Sequence, residues 1–177
     1  MRWASGRDLW RGCRMARLSL PIQQVLTLLA ETPTRIAAQT DGLIYAQLHT
    51  APQPNEWSAN DVLAHLRSCS DVWGKCIITI LAQDTPTLKA VNPTTWIKQT
   101  NYLEQEFRLS LHAFTTQRSD LLAVLEPLAP EAWARSVIVT GAGKPLERTV
   151  LFYAQWLARH ERSHFKQIAS IVKTMRM

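Results

Sequence analysis

The chain's 177 residues are 46% hydrophobic, enough to build the core of one domain of ordinary size. Its net charge of +6 is unevenly divided: Arg2, Arg7, Arg11 and Arg14 against Asp8 put half of the excess at the N-terminus, and the remainder is mixed with acids, leaving no dense basic face for a nucleic acid. No apolar run reaches the roughly 18 residues of a membrane helix, and Cys13, Cys69 and Cys76 make no disulfide framework, so a cytoplasmic chain without nucleic-acid or membrane partners is expected.

Residues 1–17 read as a disordered N-terminal extension ahead of a single domain over residues 18–177. The Arg-rich, acid-poor start also fits a transit peptide, and Met15 offers an alternative point of initiation. A first helical stretch begins near Pro21, follows Ile22, Val25, Leu26 and Leu29, and is expected to break or kink at Pro33, with Ile36 on a second short piece. Residues 42–56, with Gly42, Pro52 and Pro54, read as a loop. The second helix has a marked start. Ser58 is a good N-cap, Asp61 approximates a capping box, and Trp57 and Val62 have the spacing of a hydrophobic staple.

Along that helix Val62, His65, Cys69, Val72, Cys76 and Ile80 recur at steps of three or four, the spacing of one buried face. Residues 83–95, carrying Pro86 and Pro93, read as an extended connection. It is long enough to return along the bundle, so the second and third helices can run parallel. Leu103, Phe107, Leu111, Phe114, Leu121 and Leu125 mark the third helix, which ends at Pro127. A long connection with a short extended piece at Val137-Ile138-Val139 leads to the turn residues Gly141-Ala142-Gly143. The fourth helix runs from near Leu146 to the end on the stripe Val150, Tyr153, Leu157, His160, His164, Ile168, Ile171 and Met175. Four long amphipathic segments without a sustained strand pattern predict an all-α four-helix bundle.

Three histidines, His65, His160 and His164, occupy positions where these stripes call for aliphatic side chains. A core imidazole left with an unpaired nitrogen costs about 1–3 kcal/mol, so three of them need a common partner or individual ones. Histidines four apart on a helix can share one ion, and a third from a facing helix completes a tripod. Neutral imidazoles select a divalent zinc or nickel ion first, with iron or copper also compatible, over magnesium or calcium. The bland alternative is three core histidines, each bonded to a backbone carbonyl or a neighbouring side chain.

His160-Glu161-Arg162-Ser163-His164 also matches the zinc-protease pattern H-E-x-x-H, with Glu161 as the general base. That pattern is short, and no histidine follows His164 to supply the usual third ligand. Glu161 is therefore a candidate catalytic proton handler, or only a surface acid, or an acid that backs the metal ligands or faces the substrate. Cys69 is one turn beyond His65 and reads as a small buried hydrophobe more readily than as a fourth ligand. His49, in a proline-flanked loop, and His112, off the third helix's stripe, are expected to be exposed. The seven tryptophans read mainly as core material, with one or two available to wall a pocket above a metal. Gly141-Ala142-Gly143-Lys144 lacks the spacing of a phosphate loop and reads as a turn.

The segment Trp57-Ser58-Ala59-Asn60-Asp61-Val62-Leu63-Ala64-His65-Leu66 resembles the opening of the second helix in the DinB/YfiT-like superfamily of metalloenzymes. His160-x-x-x-His164-x-x-Gln167-Ile168 is similar to the last-helix motif of the same family. The resemblance implies an up-down-down-up four-helix bundle with a long crossover between its second and third helices. It further implies homodimerisation and a metal held at the positions of His65, His160 and His164. Members include thiol-dependent transferases and relatives of maleylpyruvate isomerase, so the expected partner is a small-molecule substrate such as a low-molecular-weight thiol. Activation of water or a thiol for hydrolysis or transfer is the expected chemistry. A noncatalytic metal- or ligand-binding bundle with a stress-related role is the alternative.

Overall fold

The computed structural model describes residues 20–177; the expectations for residues 1–17 and for the starting methionine lie outside them. Four long helices dominate: α1 (Ile22–Thr40), α3 (Ala59–Ala82), α5 (Phe107–Leu125) and α6 (Val150–Met175). Short helices α2 (Tyr45–His49) and α4 (Pro93–Trp96) lie in the connections, with 3-10 turns at Ile97–Gln99 and Pro130–Ala134. Among the described residues no helix is long and apolar enough to cross a membrane.

Helix α1 continues through Pro33, contrary to the expected break. A proline in a helix interior costs about 3 kcal/mol, but full burial of Ile36 beyond it offsets about 1.5–3 kcal/mol. Arg108 also secures the last turn, donating to the Thr40 carbonyl (2.6 Å) and to Thr40 Oγ1 (3.0 Å). The expected start of α3 is realised as a capping box. Ser58 Oγ accepts from the Asp61 amide (3.1 Å) while the Ser58 amide donates to Asp61 Oδ2 (2.9 Å).

The all-α expectation needs correction, because the two long connections pair with each other. Strands β1 (Thr87–Lys89), β2 (Ser136–Thr140) and β3 (Leu146–Thr149) form a sheet in the order β1-β2-β3. β1 lies parallel to β2, with Leu88 opposite Val139, and β2 lies antiparallel to β3, with Ile138 opposite Glu147. Gly141 and Gly143, at φ of +83° and +111°, make the hairpin turn in a region where L side chains are strained. Alternate residues Val137 and Val139 are buried, so the strand is held by its apolar face on the helices. Leu146, expected in the last helix, is therefore in a strand. The helix starts at Val150, where Thr149 Oγ1 accepts from the Phe152 amide (3.0 Å). Leu103 likewise precedes its helix, in a turn whose carbonyl accepts from Asn60 Nδ2 (3.1 Å).

The apolar side chains divide into two clusters. One joins Val25 and Leu29 of α1, Trp73, Ile77 and Ile80 of α3, Leu121 and Leu125 of α5, and Val150 to Leu157 of α6, together with Val137 and Val139 of the sheet. The other joins Ile36 of α1, Val62, Leu63 and Leu66 of α3, Phe107, Leu111 and Phe114 of α5, and Ile168 and Ile171 of α6. Where the two meet, each helix carries buried polar residues, among them Thr32, Ser70, Arg118 and Glu161. This layer is the level at which α6 presents its histidines.

Candidate metal centre

The capping box sets the phase of α3, and with it the inward direction of His65, which is 6% exposed. His160 and His164, half-buried on successive turns of α6, meet it from across the bundle. His160 Nε2 lies 3.3 Å from His65 Nε2 and 3.3 Å from His164 Nε2. The three residues offer ligand nitrogens that all fall within 4.8 Å of one another. Bonds of about 2.0–2.1 Å to a tetrahedral ion separate its ligand atoms by about 3.3–3.4 Å. The two short separations thus equal the edge of such a tetrahedron, and the three expected ligands are brought together.

Hydrogen bonding and burial favour the ligand form of each ring. The Nδ1 of His164 faces Gln167 Oε1 at 2.8 Å; a carbonyl oxygen can only accept, so the proton sits on Nδ1 and the Nε2 lone pair is free. Gln167 is thus the outer partner that orients this ring. Burial, with smaller repulsion from neighbouring imidazoles, holds His160 down at about 2, and burial with His164 holds His65 at about 3. Burial also lowers His164, opposed by its bond to Gln167. Neutral rings are what metal ligation requires. His160 Nδ1 is buried with no hydrogen-bond partner among the described residues, and its Nε2 is the nitrogen that faces the other two rings. The donor set fits a divalent ion of the zinc type.

Two tryptophans pack on the rings. Trp57 stacks on His164 with centroids 6.0 Å apart and meets His65 edge-on at 5.2 Å, while Trp73 meets His160 edge-on at 5.0 Å. A cleft of about 520 Å³, lined by Gln53, Glu56, Trp57, Ser170 and Thr174, opens onto His164 and Gln167. In the sequence Trp57 had only the signature of a staple, and its i, i+8 spacing to His65 could have suggested the second contact. Gln167 stands in the last-helix motif three residues after His164, the spacing of a same-face partner, although the motif alone gives it no role.

Glu161 is not among the three residues that gather as possible ligands. Its carboxylate is buried in the polar layer and accepts from the Arg118 guanidinium, which also donates to Ser70 Oγ (3.0 Å). Burial pushes its carboxyl up to about 7, opposed by Arg118. Glu161 is therefore engaged by Arg118 inside the bundle and is not the surface acid of the alternative reading. Cys69 is 1% exposed, with Sγ 3.5 Å from His65 Nε2, and burial raises its thiol well above the ordinary range. His112 is exposed as expected, whereas His49 ends α2, half-buried and stacked on Tyr45 at 3.9 Å.

Residues 28–168 match the sequence model of the DinB superfamily. The chain belongs to the DinB superfamily. In fold, this DinB protein is similar to YfiT from Bacillus subtilis, described as a probable metal-dependent hydrolase with an unusual four-helix bundle topology. The two agree with a TM-score of 0.72 at 18% identity, over 89% of this chain and 91% of that one. No curated protein matches the chain.

Proposed function

We propose that this chain is a metal-dependent enzyme that acts on a small molecule, with His65, His160 and His164 as its only protein ligands. The observation that carries the reading is the convergence of the three imidazoles, with His160 Nε2 at tetrahedral-edge spacing from the Nε2 atoms of both His65 and His164. Zinc or nickel suits three neutral imidazoles best, with iron or copper as the other compatible ions. Such an ion, when bound, supplies Lewis acidity to a water or a thiol.

The protein's part is to prepare and shield. Gln167 holds the His164 tautomer, Trp57 and Trp73 limit water at the rings, and the cleft at His164 has the size of a small-molecule site. Its lining by Gln53, Ser170 and Thr174 suits a polar substrate such as a low-molecular-weight thiol. Glu161 has no place in this mechanism.

The reading includes one bundle domain with the up-down-down-up order. Support comes from the first apolar cluster, which unites the starts of α1 and α6 with the ends of α3 and α5. A homodimer in the cytoplasm completes it, and the exposed Ile44, Tyr45 and Leu109 suit an interface.

Metal content of the purified full-length protein, followed by thiol-transfer and hydrolysis assays, tests the proposal. One equivalent of metal lost in His160→Ala, with metal-dependent turnover, is the expected result. Metal that survives His160→Ala refutes the site, and metal without turnover shifts the function to noncatalytic binding.

A further inference from the structure

A second cavity, of about 250 Å³, lies between the C-terminal half of α3 and the β1–β2 edge of the sheet. It is distinct from the cleft at His164 and touches the histidine group only through Trp73, whose ring forms part of its wall and also packs on His160. Its walls are almost wholly apolar. Trp73 and Trp96 face it with Val139 and Leu88, and its remaining polar groups are largely committed to one another. The Tyr153 hydroxyl and the Cys76 thiol are close enough to interact with each other. Asp71 accepts from Trp96 Nε1 (3.0 Å), Tyr102 OH (2.8 Å) and Gln117 Nε2 (2.5 Å), and the Arg67 guanidinium is close enough to interact with its charge.

Two charges in the lining have no counter-ion in contact among the described residues. Lys75 on α3 and Lys89 on β1 are both exposed and both line the cavity. Lys89 is held there by the hairpin turn. Its stem lies over Gly141, where an added Cβ would meet Lys89 Cγ at 3.1 Å. An apolar chamber of this size exceeds the roughly 150 Å³ that accepts a benzene ring, so it has room for a ring and a short chain. With a pair of ammonium groups at the rim and no unsatisfied acid inside, the complementary ligand is apolar at one end and carries one negative charge at the other.

We propose that this cavity is a second small-molecule site, selective for a small apolar carboxylate whose hydrocarbon body lies against Trp73 and Trp96 and whose carboxylate meets Lys75 and Lys89. The proposal stands independently of the metal reading.

The test uses the full-length protein and 3-phenylpropanoate, with 3-phenylpropan-1-ol and 3-phenylpropylamine as neutral and cationic counterparts. Calorimetric titration is paired with the rate at which iodoacetamide modifies Cys76, followed by peptide mass mapping. The carboxylate is expected to bind one to one and protect Cys76, the alcohol to bind more weakly and the amine not at all. Lys75→Glu with Lys89→Glu should weaken carboxylate binding about tenfold or more. Both lysines are exposed, and a Lys75→Ala, Lys89→Ala pair with a smaller loss serves should the reversal disturb folding. His164→Ala, which alters the other cleft and leaves this cavity untouched, should leave the affinity unchanged. Equal binding of all three probes, binding that survives both lysine pairs or fails to protect Cys76, loss of binding in His164→Ala, or no binding at millimolar concentration overturns the proposal.

Discussion

Replacing Arg118 with methionine removes the cation that pairs with the buried carboxylate of Glu161. Both residues are 1% exposed, and they belong to different long helices, so neither can swing its charge to solvent without opening the bundle. Breaking a buried pair from one side costs about 3–5 kcal/mol, because the remaining charge loses its compensation. At about 2–4 °C per kcal/mol for a chain of this size, the melting temperature should fall by about 6–20 °C. The deficit should shrink as pH falls, since Glu161 is already pushed up to about 7 by burial and without Arg118 rises further, becoming neutral in the folded state. Arg118→Met with Glu161→Met should recover most of the loss, since an apolar pair of similar volume is often neutral or stabilising. Urea unfolding of the two single variants and the double variant, at two pH values, measures the coupling directly. Additive effects, or an Arg118→Met cost below about 1 kcal/mol, would refute the account of this layer as a mutually dependent ion pair.

Zinc added to chelator-treated protein, at a hundred times its dissociation constant, should stabilise the fold by about 2.7 kcal/mol, visible as a melting shift of about 5–11 °C that His160→Ala abolishes. Gln167→Ala should weaken metal binding about 10- to 100-fold by freeing the His164 tautomer, read by competition with a chromogenic chelator; unchanged affinity would remove Gln167 from the site. Glu161→Gln should leave metal content intact, whereas its loss would reinstate Glu161 near the ion. Without metal, stability should fall as pH drops below about 6.5, because the unfolded histidines take up protons that folded His65 (about 3) and His160 (about 2) refuse. The slope is at most about 1.4 kcal/mol per pH unit for each ring, and a flat urea midpoint between pH 7 and pH 5.5 in chelator would contradict it.

Most of what places the ligands is local in the chain. The stripe through Val62, His65 and Cys69 and the one through Leu157, His160 and His164 follow from helical period, and the start of α3 follows from Ser58 and Asp61 three residues apart. These features were legible because each depends on neighbours within one or two turns. Pro33 misled for the same reason: its helix-breaking tendency is local, but the burial of Ile36 and the bonds from Arg108 that override it come from elsewhere in the chain.

Tertiary structure alone decided the rest. Strand β1 has no strand-forming pattern of its own beyond three residues, and it exists because β2 arrives some fifty positions later to satisfy its backbone, with Thr87 opposite Ile138. Glu161 looked like a base beside a metal ligand because a motif records adjacency along the chain. One step along a helix turns a side chain by about 100°, and Arg118, on a different helix, receives it there. The sequence by itself determined four amphipathic helices and three inward histidines, since period and capping are short-range physics. That the imidazole nitrogens meet at 3.3 Å, and that the acid between two of them faces a buried arginine, are long-range facts created only when the helices pack.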